Sequence, residues 1–179
     1  MFRWMKVTAA LGIAAAASLG IAATLTADDV QVVQVRDDCD AATFNAAIGE
    51  GTCNPKAGGD TTFQEFVGDV LTQQSVDQWR FNPDRMSNAQ PIVAQNRGGE
   101  THSFTRVANF GDGSIAPPLN DLLGTTADDI APECITDITT GGQSTFIPSG
   151  GHLQVSNVKG GDKFQCCIHP WMRTTVRKR

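Results

Sequence analysis

Basic charge is scarce in this chain, and so are the residue patterns that mark most enzymes. Fourteen Lys and Arg stand against 19 Asp and Glu, a formal net charge of −5. That balance disfavours nucleic acid as a partner, because its phosphates would repel an acidic surface. No nucleophile-elbow or phosphate-loop pattern accompanies the serines, histidines and acids, so nothing resembles a hydrolytic centre. There is no internal repeat. Histidine is limited to His102, His152 and His169, and two of the four methionines, Met1 and Met5, fall in the first few residues. A protein built around several metal clusters is therefore disfavoured.

The chain has 179 residues, 40% of them hydrophobic and 18% charged, with 18 glycines. This suits one ordered, turn-rich main domain, and the all-β class is favoured. Residues 1–27 read as a signal peptide or N-terminal anchor: Arg3 and Lys6 precede an unbroken small and apolar stretch, Val7 to Ala23, which gives way to Asp28 and Asp29. The protein is expected to be exported, to a periplasm or outside the cell, with an uncleaved N-terminus as the membrane-tethered alternative. No cysteine follows the apolar stretch closely enough for lipid attachment. Loss of Arg3 and Lys6 leaves an acidic mature chain with a formal charge of −7.

The five cysteines, at 39, 53, 134, 166 and 167, would then lie where disulfides persist. An odd count calls for a free thiol, an intermolecular bond or a cysteine committed elsewhere, and two disulfides plus one metal thiolate account for all five. Cys39 and Cys53 flank a segment that reads as a helical turn, with Asp40 as its cap, Ala41 to Ile48 as its body and Gly49 and Gly51 as its end. They form a natural pair.

Along the chain, 28–78 is expected to be an N-terminal extension with this turn and an amphipathic helix. Phe63, Phe66, Val67, Val70 and Leu71 form the apolar stripe, and Thr62 with Glu65 has the form of a capping box. From Trp79 onward the period changes. Trp79 to Phe81, Pro91 to Gln95, His102 to Ala108, Thr145 to Ile147, Leu153 to Val158, Lys163 to Cys167 and Thr174 to Arg177 are candidate strands, the number and size of a Greek-key sandwich over 79–179. Asn109 to Gly142 is a long connection with a helical turn around Leu119 to Leu123, and connections of that length are often functional or braced.

The chemistry concentrates in Phe164-Gln165-Cys166-Cys167-Ile168-His169-Pro170-Trp171-Met172. Thiolate, imidazole and thioether together suit a soft metal; two His and one Cys with a weak axial Met define blue-copper electron-transfer sites, whereas zinc would rarely use the Met. Because side chains alternate along a strand, Cys166 shares the face of Phe164 and points inward, leaving Cys167 on the face of Gln165 and free to bond Cys134. His102 shares a face with Phe104 and sits after a Gly98-Gly99 turn. His152 follows a turn signal, which favours exposure.

Cys166-x-x-His169-x-x-Met172 before a short last strand resembles the copper loop of the plastocyanin and amicyanin family, with the Cys-x-x-His-Pro-aromatic-Met form closest to amicyanin. His102 matches that family's upstream histidine. Ile168 stands where amicyanin-like loops often carry proline, and Thr174 stands where a glycine often follows. The resemblance covers about Trp79 to Arg179 and implies a cupredoxin-like Greek-key β-sandwich holding one type 1 copper ion through His102, Cys166, His169 and Met172. It implies a blue copper electron carrier rather than an enzyme, with no catalytic residues and a transient redox partner such as a c-type cytochrome or an oxidoreductase. His169 would be the ligand nearest solvent, framed by Pro170 and Trp171. The alternatives are a periplasmic copper carrier or storage protein, which the shortage of Met and His disfavours, and a non-redox binding module on the same fold.

Overall fold

The computed structural model describes residues 30–87, 91–139 and 145–178; the expected leader, residues 1–27, lies outside them. Strand β1 (Gln31–Arg36) shows why strict alternation yields a sheet with one buried face: Val33 and Val35 are fully buried, whereas Val32, one position before them, is 42% exposed. On one side β1 pairs antiparallel with β2 (Arg80–Asn82), and on the other it pairs in parallel with β4 (Ile92–Asn96). β8 (His152–Val155) closes this sheet antiparallel to β4, in the order β2-β1-β4-β8. The expected boundary at residue 79 thus runs through a single sheet, whose inner strand β1 comes from the segment assigned to the extension.

A second mixed sheet has the order β3-β10-β9-β6, with β3 (Arg85–Met86), β6 (Thr105–Val107), β9 (Lys163–Gln165) and β10 (Arg173–Val176). A two-stranded piece pairs β5 (His102–Ser103) with β7 (Phe146–Ile147). The buried faces meet in one core that includes Val33, Val35, Phe81, Ile92, Phe104 and Phe164. Phe104 and Phe164 stack with ring centroids 4.4 Å apart, and burying side chains of this size contributes roughly 1.5–3 kcal/mol each.

Helix is more abundant than a short N-terminal extension would supply, so the molecule is β-rich rather than purely β. α1 (Ala41–Ala47) starts where Asp40 accepts from the Thr43 N–H at 2.9 Å. α2 (Phe63–Gln73) opens with the expected Thr62–Glu65 capping box, and its stripe buries Phe66 and Val70. The long connection contributes α3 (Pro117–Leu123) and α4 (Pro132–Thr139). These helices have a core to cover. Val107, Ala131, Cys134 and Cys167 form a second buried cluster, packed by Phe110, Ile115 and Ile130. Gln165 faces that side without reaching water: its amide accepts from the Gly111 N–H at 2.9 Å and donates to the Gly111 carbonyl at 2.8 Å. A polar residue on a strand is buried here because a loop backbone satisfies it inside the protein.

Both expected disulfides form. Cys39–Cys53 and Cys134–Cys167 have Cα separations of 6.2 and 5.5 Å, and bonds of this kind belong to an oxidising, exported setting. Cys166 is the free cysteine among the described residues, and it is buried. Among the described residues no helix is long and apolar enough to cross a membrane.

Candidate metal centre

Cys166 lies just beyond the end of β9, and the chain loops through His169 to Met172 before β10 brings it back. The loop is tied to itself, because the Cys166 N–H donates to the Met172 carbonyl at 3.0 Å and the Met172 N–H to the His169 carbonyl at 2.9 Å. It is also tied to its surroundings. Ser103 Oγ accepts from the Cys167 N–H at 2.7 Å, and Ser114 Oγ donates to the Ile168 carbonyl at 2.6 Å. Ser114 is in turn held by the Asn120 side chain at the centre of α3, which accepts from its N–H at 2.6 Å and donates to its carbonyl at 2.9 Å. The long connection therefore buttresses the loop.

These constraints bring His102, Cys166 and His169 together as a buried cluster able to hold a metal ion. His102 Nδ1 is 3.8 Å and His169 Nδ1 3.9 Å from Cys166 Sγ. A first-row metal shared by sulfur and nitrogen at bond lengths of roughly 2.3 and 2.0 Å, in a near-trigonal arrangement, separates those atoms by about 3.7 Å. The residues fit such an ion. The donor set of one thiolate and two imidazoles belongs to soft or borderline metals. Met172 is 1% exposed at the end of the same loop. His152, by contrast, is exposed at the start of β8 and stays out of the cluster.

Two carboxylates that the sequence reading did not single out complete the centre. Asp37, just past β1, accepts from His102 Nε2 at 2.7 Å and from the Gly99 and Glu100 N–H groups at 2.9 and 3.1 Å. Holding the Nε2 proton there leaves Nδ1, the nitrogen facing Cys166, free to ligate. The turn that delivers His102 requires its two glycines. A Cβ on Gly98 would run into the Asp37 carboxylate, and one on Gly99 into both sulfurs of the Cys39–Cys53 disulfide. The cysteine-flanked turn, outside the family resemblance, thus forms the bed on which the histidine turn lies. Asn96 fixes the other side, donating to the Glu100 and Ile147 carbonyls at 2.7 and 2.9 Å.

Glu100 Oε2 accepts from the Trp79 indole at 2.5 Å and lies 3.6 Å from His169 Nε2. Burial pushes its carboxyl above the ordinary range, a rise that His169 and His102 counter only in part. At Cys166 burial also acts to raise the pKa, but hydrogen bonds and charge from His102 and His169 outweigh it and hold the thiol well below its usual value. Burial opposes charge on His102, yet the Asp37 hydrogen bond and Cys166 push its pKa up to about 10. Burial likewise raises Asp37, and the hydrogen bond and charge of His102 carry it lower overall.

His169 is the most exposed of the four residues expected as ligands, yet it hardly reaches solvent. It is 3% exposed, shielded by Trp171 at 5.5 Å between ring centroids, Phe66 at 6.2 Å and Trp79 at 6.5 Å. The physical reason is α2, whose apolar stripe packs over the end of the sheets where the histidine would otherwise surface. Trp171 is itself half-buried, with its indole N–H sealed from solvent.

No protein-family model and no curated protein matches the chain.

Proposed function

We propose that this chain is a type 1 copper protein of cupredoxin-like fold that carries single electrons between redox partners outside the cytoplasm. The observation that carries this reading is the buried free thiol of Cys166 with one imidazole nitrogen on either side at 3.8 and 3.9 Å. Thiolate with two imidazoles and a weak thioether is the donor set of blue-copper sites. Met172, at the end of the ligand loop, would be the axial fourth donor. Two four-stranded mixed sheets, with that loop between β9 and β10, support a Greek-key sandwich of the cupredoxin kind.

Bound copper supplies a one-electron couple. The protein's part is to change little when the charge changes, and the residues around the loop suit that part. Asp37 holds His102 in one tautomer, Ser103 and Ser114 hold the loop backbone, and the Ser103 N–H points at Cys166 Sγ from 3.4 Å. A donor aimed at the sulfur stabilises negative charge there and so tunes the potential. An acidic surface would steer a basic redox partner towards the protein.

The reading is tested by visible absorption and electron paramagnetic resonance of the mature protein loaded with Cu(II), alongside Cys166→Ala. An intense thiolate-to-copper band with narrow hyperfine splitting, absent from the variant, is the expected result. A folded, disulfide-bonded protein that develops no such band would remove the electron-carrier reading.

A further inference from the structure

The helices that shield His169 do not fill the space beside it. Between α1, α2 and α3 lies a cavity of about 450 Å³, within the size range of small-molecule sites. Phe44, Phe63, Phe66, Leu119 and Leu122 form much of its wall, and its ionisable side chains are His169 and Glu100; no lysine or arginine lines it. An anion would find no counter-charge there. A neutral apolar ring would find three phenylalanines, with Phe63 and Phe66 each edge-on to Phe44 at 5.4 and 5.5 Å.

Glu100 adds a demand for a hydrogen bond. Its Oε2 is used by Trp79, but its Oε1 has no hydrogen-bond partner among the described residues, although the side chain is only 9% exposed. That oxygen is not sealed off from the cavity, and a ligand that displaces water from it must donate to it in turn. The shape of the entrance points the same way. With His169 recessed behind Phe66 and Trp171, a flat macromolecular surface cannot touch it, whereas a small molecule entering the cavity can.

We infer that this cavity binds a small uncharged aromatic molecule bearing a hydroxyl, of the phenol or hydroquinone class, with its ring among Phe44, Phe63 and Phe66 and its hydroxyl donating to Glu100. The consequence rests on the electron-carrier reading: the ligand is a reductant held against His169. One hydroquinone gives one electron to each of two copper-loaded molecules, its two hydroxyl protons pass to water, and it leaves as the quinone.

The probe is methylhydroquinone, added without oxygen to the metal-free full-length chain and followed by tryptophan fluorescence and by broadening of its methyl resonance. Saturable binding is expected. Ile48→Trp and Leu122→Trp, two separate ways of filling the cavity from its rim, should each weaken it at least about tenfold, with near-UV dichroism confirming that each variant is folded. No saturable binding, or undiminished binding in both folded variants, overturns the site. In the Cu(II)-loaded protein the rate of bleaching should saturate with methylhydroquinone concentration. A strictly linear rate despite measured binding overturns the role as reductant. Because binding is read without metal, failure to form a copper site would count against the electron-carrier reading and leave this measurement decisive for the cavity.

Discussion

At the scale of single residues, Asp37 supports the centre most without touching the metal position. Asp37→Asn retains one acceptor but removes a negative charge 2.7 Å from the His102 ring. A negative charge near the site favours the more positive oxidised metal, so the potential of the copper-loaded variant should rise, and copper should be lost faster to a chelator. Asp37→Glu, which restores the charge, should recover part of the shift, and an unchanged potential in Asp37→Asn would show that Asp37 has only a packing role. The pairing of Cys166 with His169 in the cluster was legible in the sequence because a thiol and an imidazole three positions apart in one loop carry their chemistry in their spacing. Asp37 and Glu100 were not, since an aspartate before a cysteine and a glutamate in a glycine turn look like ordinary surface acids until the fold buries them. The burial of His169 was hidden for the same reason: it depends on Phe66, which lies more than 100 residues away.

At the scale of elements, α2 and the braced connection have separable effects. Phe66 is 5% exposed and meets Phe44, Trp79 and His169. Phe66→Ala should cost about 3 kcal/mol in a denaturation curve, and it should speed reduction of the copper-loaded protein by large, membrane-impermeant reagents now able to approach His169. The Cys134–Cys167 bond closes a loop of sequence separation 33. Replacing both with serine should destabilise the fold by about 3–4 kcal/mol on the chain-entropy estimate. The thiolate band should persist, because Cys166 is not part of that bond. A band lost together with the disulfide would mean that the connection is needed to form the site at all. Strong local patterns explain why α1, α2 and most strands could be located in advance: a cap, a stripe of period 3.6 or an alternation of period 2 is written within one element. What α4 covers, and the pairing of β1 between β2 and β4, follow from which apolar faces meet across the chain, and no window of sequence contains that.

At the scale of the whole molecule, the centre should shape how stability of the metal-free protein varies with pH. His102 is raised from 6.5 to about 10, while Cys166 is lowered well below 9.0. In a window reaching down from pH 9.0, the folded state holds one proton on His102 and none on Cys166, whereas the unfolded chain holds one on the thiol and none on the imidazole. The counts are equal, so these two groups give no slope across that window. Cys166, whose pKa is lowered in the fold, stabilises less as pH falls from 9.0 towards its folded value, and once pH is below 6.5 His102 no longer offsets that loss. Asp37, whose pKa is depressed in the fold, adds to this acid arm as pH drops below the ordinary carboxylate value, whereas Glu100, raised by burial, opposes it and costs stability as pH rises above 4.5. Above pH 9.0 only the folded state still holds a proton, on His102, and stability falls as pH rises towards 10. Denaturant midpoints of the metal-free protein should therefore form a plateau with a decline on either side. Cys166→Ala removes the thiol from the balance but leaves the Asp37 bond to His102, so its midpoints should decline from pH 6.5 upward. A wild-type curve that slopes steadily through the window, or a variant that keeps the plateau, would show that His102 and Cys166 do not exchange charge in this way.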